Sequence, residues 1–156
     1  MMSRVMSLRL QDHQMQRLGR LAHRLGRTKS ETGVLLIEEA LRMAEFGHIV
    51  FRDSPVGRQA YVMGSSLAVW EVVFVTRDYG GDPVQTARHL HWPLVRVQAA
   101  LAYAEAFPDE IEAAIADNDA CDFTTLKQML PQAEMFVASG TAADLSDTGD
   151  AAATPG

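Results

Sequence analysis

The sequence predicts a mostly α protein with a short N-terminal strand, a central β-hairpin and a partly disordered acidic tail. Three observations predict it. Two stretches within residues 12–46 repeat apolar residues at spacings of three and four between recognisable caps. Apolar and polar residues alternate over residues 4–10, and a second strand-like pair flanks turn residues between positions 49 and 63. Three further short helical stretches, set apart by Gly-Gly and Pro signals, occupy residues 69–107.

In residues 4–10, Met6, Leu8 and Leu10 alternate with Val5, Ser7 and Arg9, which is the period of a strand with one apolar face. A lone strand is unstable, and nothing strand-like follows for nearly forty residues. Antiparallel pairing with the same strand of a second chain is the economical solution, so a homodimer is expected.

A helix then runs from about Asp12 to Leu25, with Met15, Leu18, Leu21, Ala22 and Leu25 on one face. Asp12 is its expected N-cap and Gly26 its stop. A second helix runs from about Lys29 to Phe46. It opens on the capping-box pattern Thr28-x-x-Glu31, carries Val34, Ile37, Ala40, Leu41 and Ala44, and ends at Gly47. Gly33 inside it costs up to about 1 kcal/mol relative to Ala; it serves close packing in a dimer or simply weakens that turn.

Ile49-Val50-Phe51 and Ala60-Tyr61-Val62-Met63 flank the turn-rich Asp53-Ser54-Pro55-Val56-Gly57, the pattern of a hairpin. Helices are expected over about Val69–Tyr79, Pro83–His89 and Pro93–Phe107. Asp82 caps the second of these, with Pro83 at its first position. The third places Leu94, Val97, Leu101 and Ala104 together, leaving Arg96, Gln98 and Tyr103 outside the core positions. Short helices with tight turns resemble a helix-turn-helix. One basic residue is little for a helix that enters a groove, because phosphate neutralisation dominates affinity. A scaffold, dimerisation or partner-docking role is the expectation here, with Trp70 and Trp92 in the core.

After about Asn118 the composition changes. Asp122–Leu130 reads as one amphipathic helix stopped by Pro131, and residues 139–156 are too poor in apolar side chains to build a core. The expected organisation is therefore residues 1–46, 47–118 and 119–156.

The formal net charge of -6 conceals a gradient. Residues 1–29 hold seven Lys/Arg and one acid, +6; residues 30–108 hold six and nine, -3; residues 109–156 hold one and ten, -9. A polyanion responds to the local basic patch rather than to the average. No apolar run reaches bilayer length and the first residues lack the apolar stretch of a signal peptide. With a single cysteine, Cys121, a cytoplasmic location is expected.

The order strand, helix, Gly-containing turn, capped helix resembles the ribbon-helix-helix family of bacterial repressors and antitoxins. Met6-Ser7-Leu8-Arg9-Leu10, Leu18 with Leu21-Ala22, and Leu25-Gly26-Arg27-Thr28-Lys29-Ser30-Glu31 carry the resemblance. It implies an intermolecular two-stranded antiparallel ribbon that enters the major groove of operator DNA as part of a dimer. Val5, Ser7 and Arg9 then read bases. Arg9 offers two donors to guanine, Ser7 a versatile hydroxyl, and Val5 an apolar contact to a thymine methyl. Contact of Arg9 with phosphate alone is the plainer alternative. Thr28, Lys29 and Ser30, at the positive end of the second helix, clamp phosphate, and Arg4 reaches the flanking backbone. Arg17, Arg20 and Arg24 lie on the outer side of the first helix and read as solvated surface.

A second stretch is similar to an antitoxin-associated domain found beside PIN-like ribonuclease toxins. Gly64-Ser65-Ser66-Leu67-Ala68-Val69-Trp70, Tyr79-Gly80-Gly81-Asp82, Val97-Gln98-Ala99-Ala100-Leu101-Ala102-Tyr103 and Pro108-Asp109-Glu110-Ile111 carry it. The resemblance implies a toxin-covering tail in which Phe123, Leu126, Met129, Leu130 and Phe136 are apolar anchors and Lys127 is the one cation. Packing of residues 123–137 on this chain's own core is the alternative.

No enzyme is expected. His89 and His91 are poorly spaced as ligands on one helix face, Cys121 has no base nearby in sequence, and the glycines match no phosphate loop. Neither metal nor cofactor is implied. The leading expectation is an autorepressing antitoxin. The alternatives are a stand-alone ribbon-helix-helix repressor with a sensing or interaction domain, and an interaction protein whose ribbon does not read DNA. A ribonuclease-like gene beside this one favours the first.

Overall fold

The computed structural model describes residues 2–129, and side-chain surroundings over residues 2–119. Among these residues the chain forms six helices and one two-stranded antiparallel sheet, in the order α1 (Asp12–Leu25), α2 (Lys29–Glu45), β1 (Ile49–Ser54), β2 (Gly57–Val62), α3 (Val69–Asp78), α4 (Pro83–Leu90), α5 (Leu94–Ala106) and α6 (Pro108–Met129). One compact unit covers Met1–Ala120; of the other, Cys121–Gly156, the described part is the end of α6. No helix among the described residues is long and apolar enough to cross a membrane.

The caps explain where the first two helices begin and end. Gly26 adopts φ 64°, and its N–H and that of Arg27 turn back to the carbonyls of His23 and Ala22. Only a residue without a Cβ enters that left-handed conformation at little cost. Thr28 and Glu31 form the expected reciprocal box. Two boundaries differ from expectation. Gln11, not Asp12, is the N-cap of α1, with its N–H held by the Gln14 side chain at 2.9 Å. At the end of α2 the capping residue is Phe46, and the left-handed turn falls on His48 rather than Gly47. The His48 carbonyl accepts from Met63 N–H at 2.7 Å, which ties that turn to the end of β2.

The hairpin pairs Ile49 with Val62 and Ser54 with Gly57, turning through Pro55-Val56. Its inward side chains Ile49, Ala60 and Val62 meet Val69, Val72 and Val73 of α3, Ala87 of α4, Val97, Ala100 and Tyr103 of α5, and Ile111 and Ile115 of α6. Trp70 and Trp92 are half-buried against this core. Phe46 packs edge-on against Tyr103 and Phe107, with ring centroids 5.5 and 5.8 Å apart, so the end of α2 is part of the same core.

Two further expectations are corrected. In α5 the buried positions are Val97, Ala100 and Tyr103, while Leu94 is exposed. Val97, Leu101 and Ala104 of the expected face do pack on the core, Leu101 and Ala104 partly buried, but Tyr103, the largest fully buried side chain, joins them where Leu94 was expected. Tyr103 therefore offers nothing to a groove. And the helix expected over Asp122–Leu130 begins much earlier: α6 runs as a single helix from Pro108 to Met129, across the change of composition near Asn118. Between Pro108 and Pro131 the sequence contains neither Gly nor Pro, so the change in composition there brings no helix breaker.

Candidate nucleic-acid interface

Residues 2–11 have no regular secondary structure and residues 2–10 are exposed. The strand expected over residues 4–10 is thus not formed in the single chain, where no second strand is present to complete its hydrogen bonds. The side-chain alternation nevertheless persists in part. Met6, Leu8 and Leu10 border an open depression of about 580 Å³ between this segment, α1 and α2, whereas Ser7 and Arg9 do not. Arg4 and Val5 also border the depression, although Val5 is 97% exposed.

The floor of that depression comes from α2. The helix buries Thr32 and Glu39 on its inner side and half-buries Leu35 and Leu36. Its most apolar stripe points the other way: Val34 is 69% exposed, Leu41 52% and Ile37 37%. Gly33 lies on the same side, with open space where a Cβ would stand. An apolar helix stripe facing water beside an unpaired apolar segment is a surface that association would bury.

At the start of α2, Thr28 Oγ1 accepts from Glu31 N–H at 3.2 Å, while the Glu31 carboxylate accepts from Thr28 N–H at 2.8 Å and from its hydroxyl at 2.9 Å. The Thr28 backbone N–H, then its hydroxyl, hold the Glu31 carboxyl below the usual carboxylate range. Thr28 was expected to clamp phosphate, but both its donors are occupied by Glu31. Lys29 and Ser30 remain as the exposed groups of that turn, and their backbone N–H groups precede the first intrahelical bonds.

The outer arginines of α1 divide. Arg24 pairs with Asp53 of β1 at 3.1 Å. No acid among the described residues lies within ion-pair distance of Arg9, Arg17, Arg20 or Lys29, since the pairs formed there involve Arg24, Arg42, Arg58 and Arg77. The basic surface of residues 1–29 is therefore largely unneutralised.

Behind this surface lies a polar cluster that joins α2 to the later helices. Arg42 donates to Tyr103 Oη at 2.8 Å and to Glu110 at 3.0 Å, and its Nε donates to Glu38 at 2.7 Å. Tyr103 donates to Glu110 at 2.8 Å, and the Arg42 guanidinium lies 3.8 Å from the Phe107 ring centroid. Burial, then the hydrogen bond to Glu110, pushes the Tyr103 phenol well above its ordinary value. Burial acts against the charge on Arg42, but its bonds to Glu38 and Tyr103 outweigh it and the guanidinium is held more firmly protonated. Sequence reasoning missed this cluster because its members are 61 and 68 residues apart.

His89 Nδ1 is 2.9 Å from Tyr79 Oη, and His91 forms the left-handed cap of α4. Among the described residues no group of three His, Cys, Asp or Glu is arranged to hold a metal. Phe123, Leu126, Lys127 and Met129 fall on the last part of α6, beyond the residues whose side chains are described; Leu130 and Phe136 lie outside the described residues altogether. Compared with family models, curated proteins and solved structures, the chain matches none.

Proposed function

We propose that this chain is a DNA-binding autorepressor of the antitoxin type. Two copies pair their residues 4–10 into an antiparallel ribbon and bury the α2 stripes against each other. Arg9 and Ser7 then face the major groove, and Lys29, Ser30 and Arg4 hold the flanking phosphates. The observation that carries this reading is the outward apolar stripe Val34–Ile37–Leu41 beside Met6, Leu8 and Leu10, exposed in the single chain next to an unneutralised basic segment. Val5, 97% exposed in the single chain, adds an apolar contact to the groove. The protein acts in the cytoplasm, on the nucleoid when bound to its operator.

In the same proposal the acidic C-terminal region neutralises a basic ribonuclease partner of the PIN type, with Phe123, Leu126, Met129, Leu130 and Phe136 as anchors and Lys127 as the inserted cation. The charge of -9 over residues 109–156 supports this half. The second reading, a stand-alone repressor with a sensing domain, draws support from the joining of α2 to the middle helices through Arg42, Tyr103 and Glu110. Sedimentation of the protein on a duplex from upstream of its own gene tests the DNA-binding core of the proposal. Two chains per site, or a multiple of two, is the expected stoichiometry; a single bound chain contradicts the ribbon.

A further inference from the structure

We infer that α1 and Lys29 form a second phosphate cradle, lateral to the ribbon, which takes one or two backbone phosphates of the same duplex beyond the bases that are read. The inference rests on the DNA-binding reading above and adds a site to it. Gln16, Gly19, Arg20 and His23 recur along α1 at spacings of three and four, so they form one stripe of the helix. Together with Lys29 they line an open depression of about 540 Å³ on the basic module.

Gly19 explains why the cradle exists. A glycine inside a helix costs about 1 kcal/mol relative to Ala, and here its backbone φ needs no such freedom, since Gly19 is absent from the positive-φ positions. What it provides is room. The Lys29 Cε lies 3.0 Å and its Nζ 3.7 Å from where a Gly19 Cβ would stand. The Lys29 chain thus lies against α1, its ammonium between the start of α2 and the stripe that bears Arg20 and His23. Two formal positive charges line the depression, neither within ion-pair distance of an acid among the described residues. Arg24, one turn further on, is drawn off to Asp53 and is not part of the cradle. An open, doubly charged depression with a ring N–H and an amide at its edge suits a phosphodiester, which is anionic and accepts several hydrogen bonds without needing to be enclosed.

The test is the salt dependence of DNA binding by the full-length protein, on the upstream duplex and on an unrelated duplex of equal length. Arg20→Ala, Lys29→Ala, Gly19→Leu and Arg9→Ala are compared with wild type, with helical content and melting checked for each. Loss of one phosphate contact lowers the slope of log K against log salt by about 1. Arg20→Ala is expected to lower it by that amount on both duplexes, and Lys29→Ala, which removes a contact shared with the ribbon-flanking phosphates, by at least as much. Gly19→Leu fills the cradle while favouring the helix, so it should weaken binding with melting unchanged or raised. Arg9→Ala instead removes the preference for the upstream duplex. Wild-type slopes in Arg20→Ala and Gly19→Leu, with wild-type binding intact and Arg9→Ala defective, overturn the cradle alone. Absence of wild-type binding to either duplex overturns the cradle and the DNA-binding reading together.

Discussion

Arg58 on β2 closes both carboxylate oxygens of Glu39 on α2, Nε to Oε1 at 2.9 Å and Nη2 to Oε2 at 2.6 Å. Glu39 is the buried charge of α2, and this two-point grip is what satisfies it. Arg58 also reaches Asp53 at 3.1 Å, and Asp53 reaches Arg24, so a single chain of ion pairs crosses α2, β2, β1 and α1. Its hydrogen bonds to Glu39 come first among the causes that keep the Arg58 guanidinium firmly protonated. The basic module and the hairpin are therefore not beads on a linker.

Breaking that grip from one side leaves a charge without its partner. Glu39→Gln is expected to destabilise the protein by about 3 kcal/mol, the low end for a buried pair, because Arg58 keeps Asp53 and some access to water. Replacing both, Glu39→Met with Arg58→Met, should restore most of the loss. Urea unfolding of the singles and the double measures this; a double mutant as unstable as the sum of the singles contradicts the pairing.

The capping box carries a pH signature. The Glu31 carboxyl is held below its usual range in the folded protein, so its contribution is present above the unfolded value near 4.5 and is lost as pH falls through the folded value. Thr28→Ala is expected to cost about 1 kcal/mol at neutral pH and to flatten the acid end of the stability curve. Thermal melts from pH 7 to pH 3 show both effects, and parallel curves for wild type and Thr28→Ala argue against the box.

Tyr103 gives the opposite sign. Its phenol is raised in the folded state, so the contribution is complete below the ordinary value of 10.0 and disappears as pH rises through the folded value. Tyr103→Phe keeps the ring contacts with Phe46 and Phe107 and removes the bonds to Arg42 and Glu110. A loss of about 1–2 kcal/mol at pH 7 is expected, with a shallower decline above pH 10 than wild type. Denaturant midpoints across that range test it.

An acid on the outward stripe of α2 should prevent association while leaving the inner core untouched. Ile37→Asp is expected to weaken dimerisation on the order of 30-fold or more, the consequence of losing an apolar anchor worth about 2 kcal/mol. Sedimentation velocity against concentration measures it. Equal association in wild type and variant would move the interface elsewhere.

The elements most legible in the sequence are those written in short-range chemistry. Gly26, Thr28-x-x-Glu31 and Asp82-Pro83 each fix a helix end through contacts within a few residues, and the structure has a helix end at each. The hairpin was legible for the same reason, its turn residues lying between two short apolar runs. What was not legible depends on distant partners. The burial of Tyr103 on α5 follows from its fit among Phe46, Phe51 and Phe107. The burial of Glu39 follows from Arg58, nineteen residues on. The folding of Lys29 over Gly19 depends on how α1 and α2 cross, which neither helix's own periodicity reports. At the candidate interface the alternation of residues 4–10 was legible, but the strand it implies needs a second chain.

Arg9→Ala decides whether residues 4–10 read DNA. Binding of full-length protein to the duplex upstream of its gene should be tight, weaken steeply as salt rises, and disappear at moderate salt in the variant, with dimerisation and melting unchanged. Wild type and Arg9→Ala binding that duplex equally, or a folded wild-type dimer that does not bind it at all, would contradict the account.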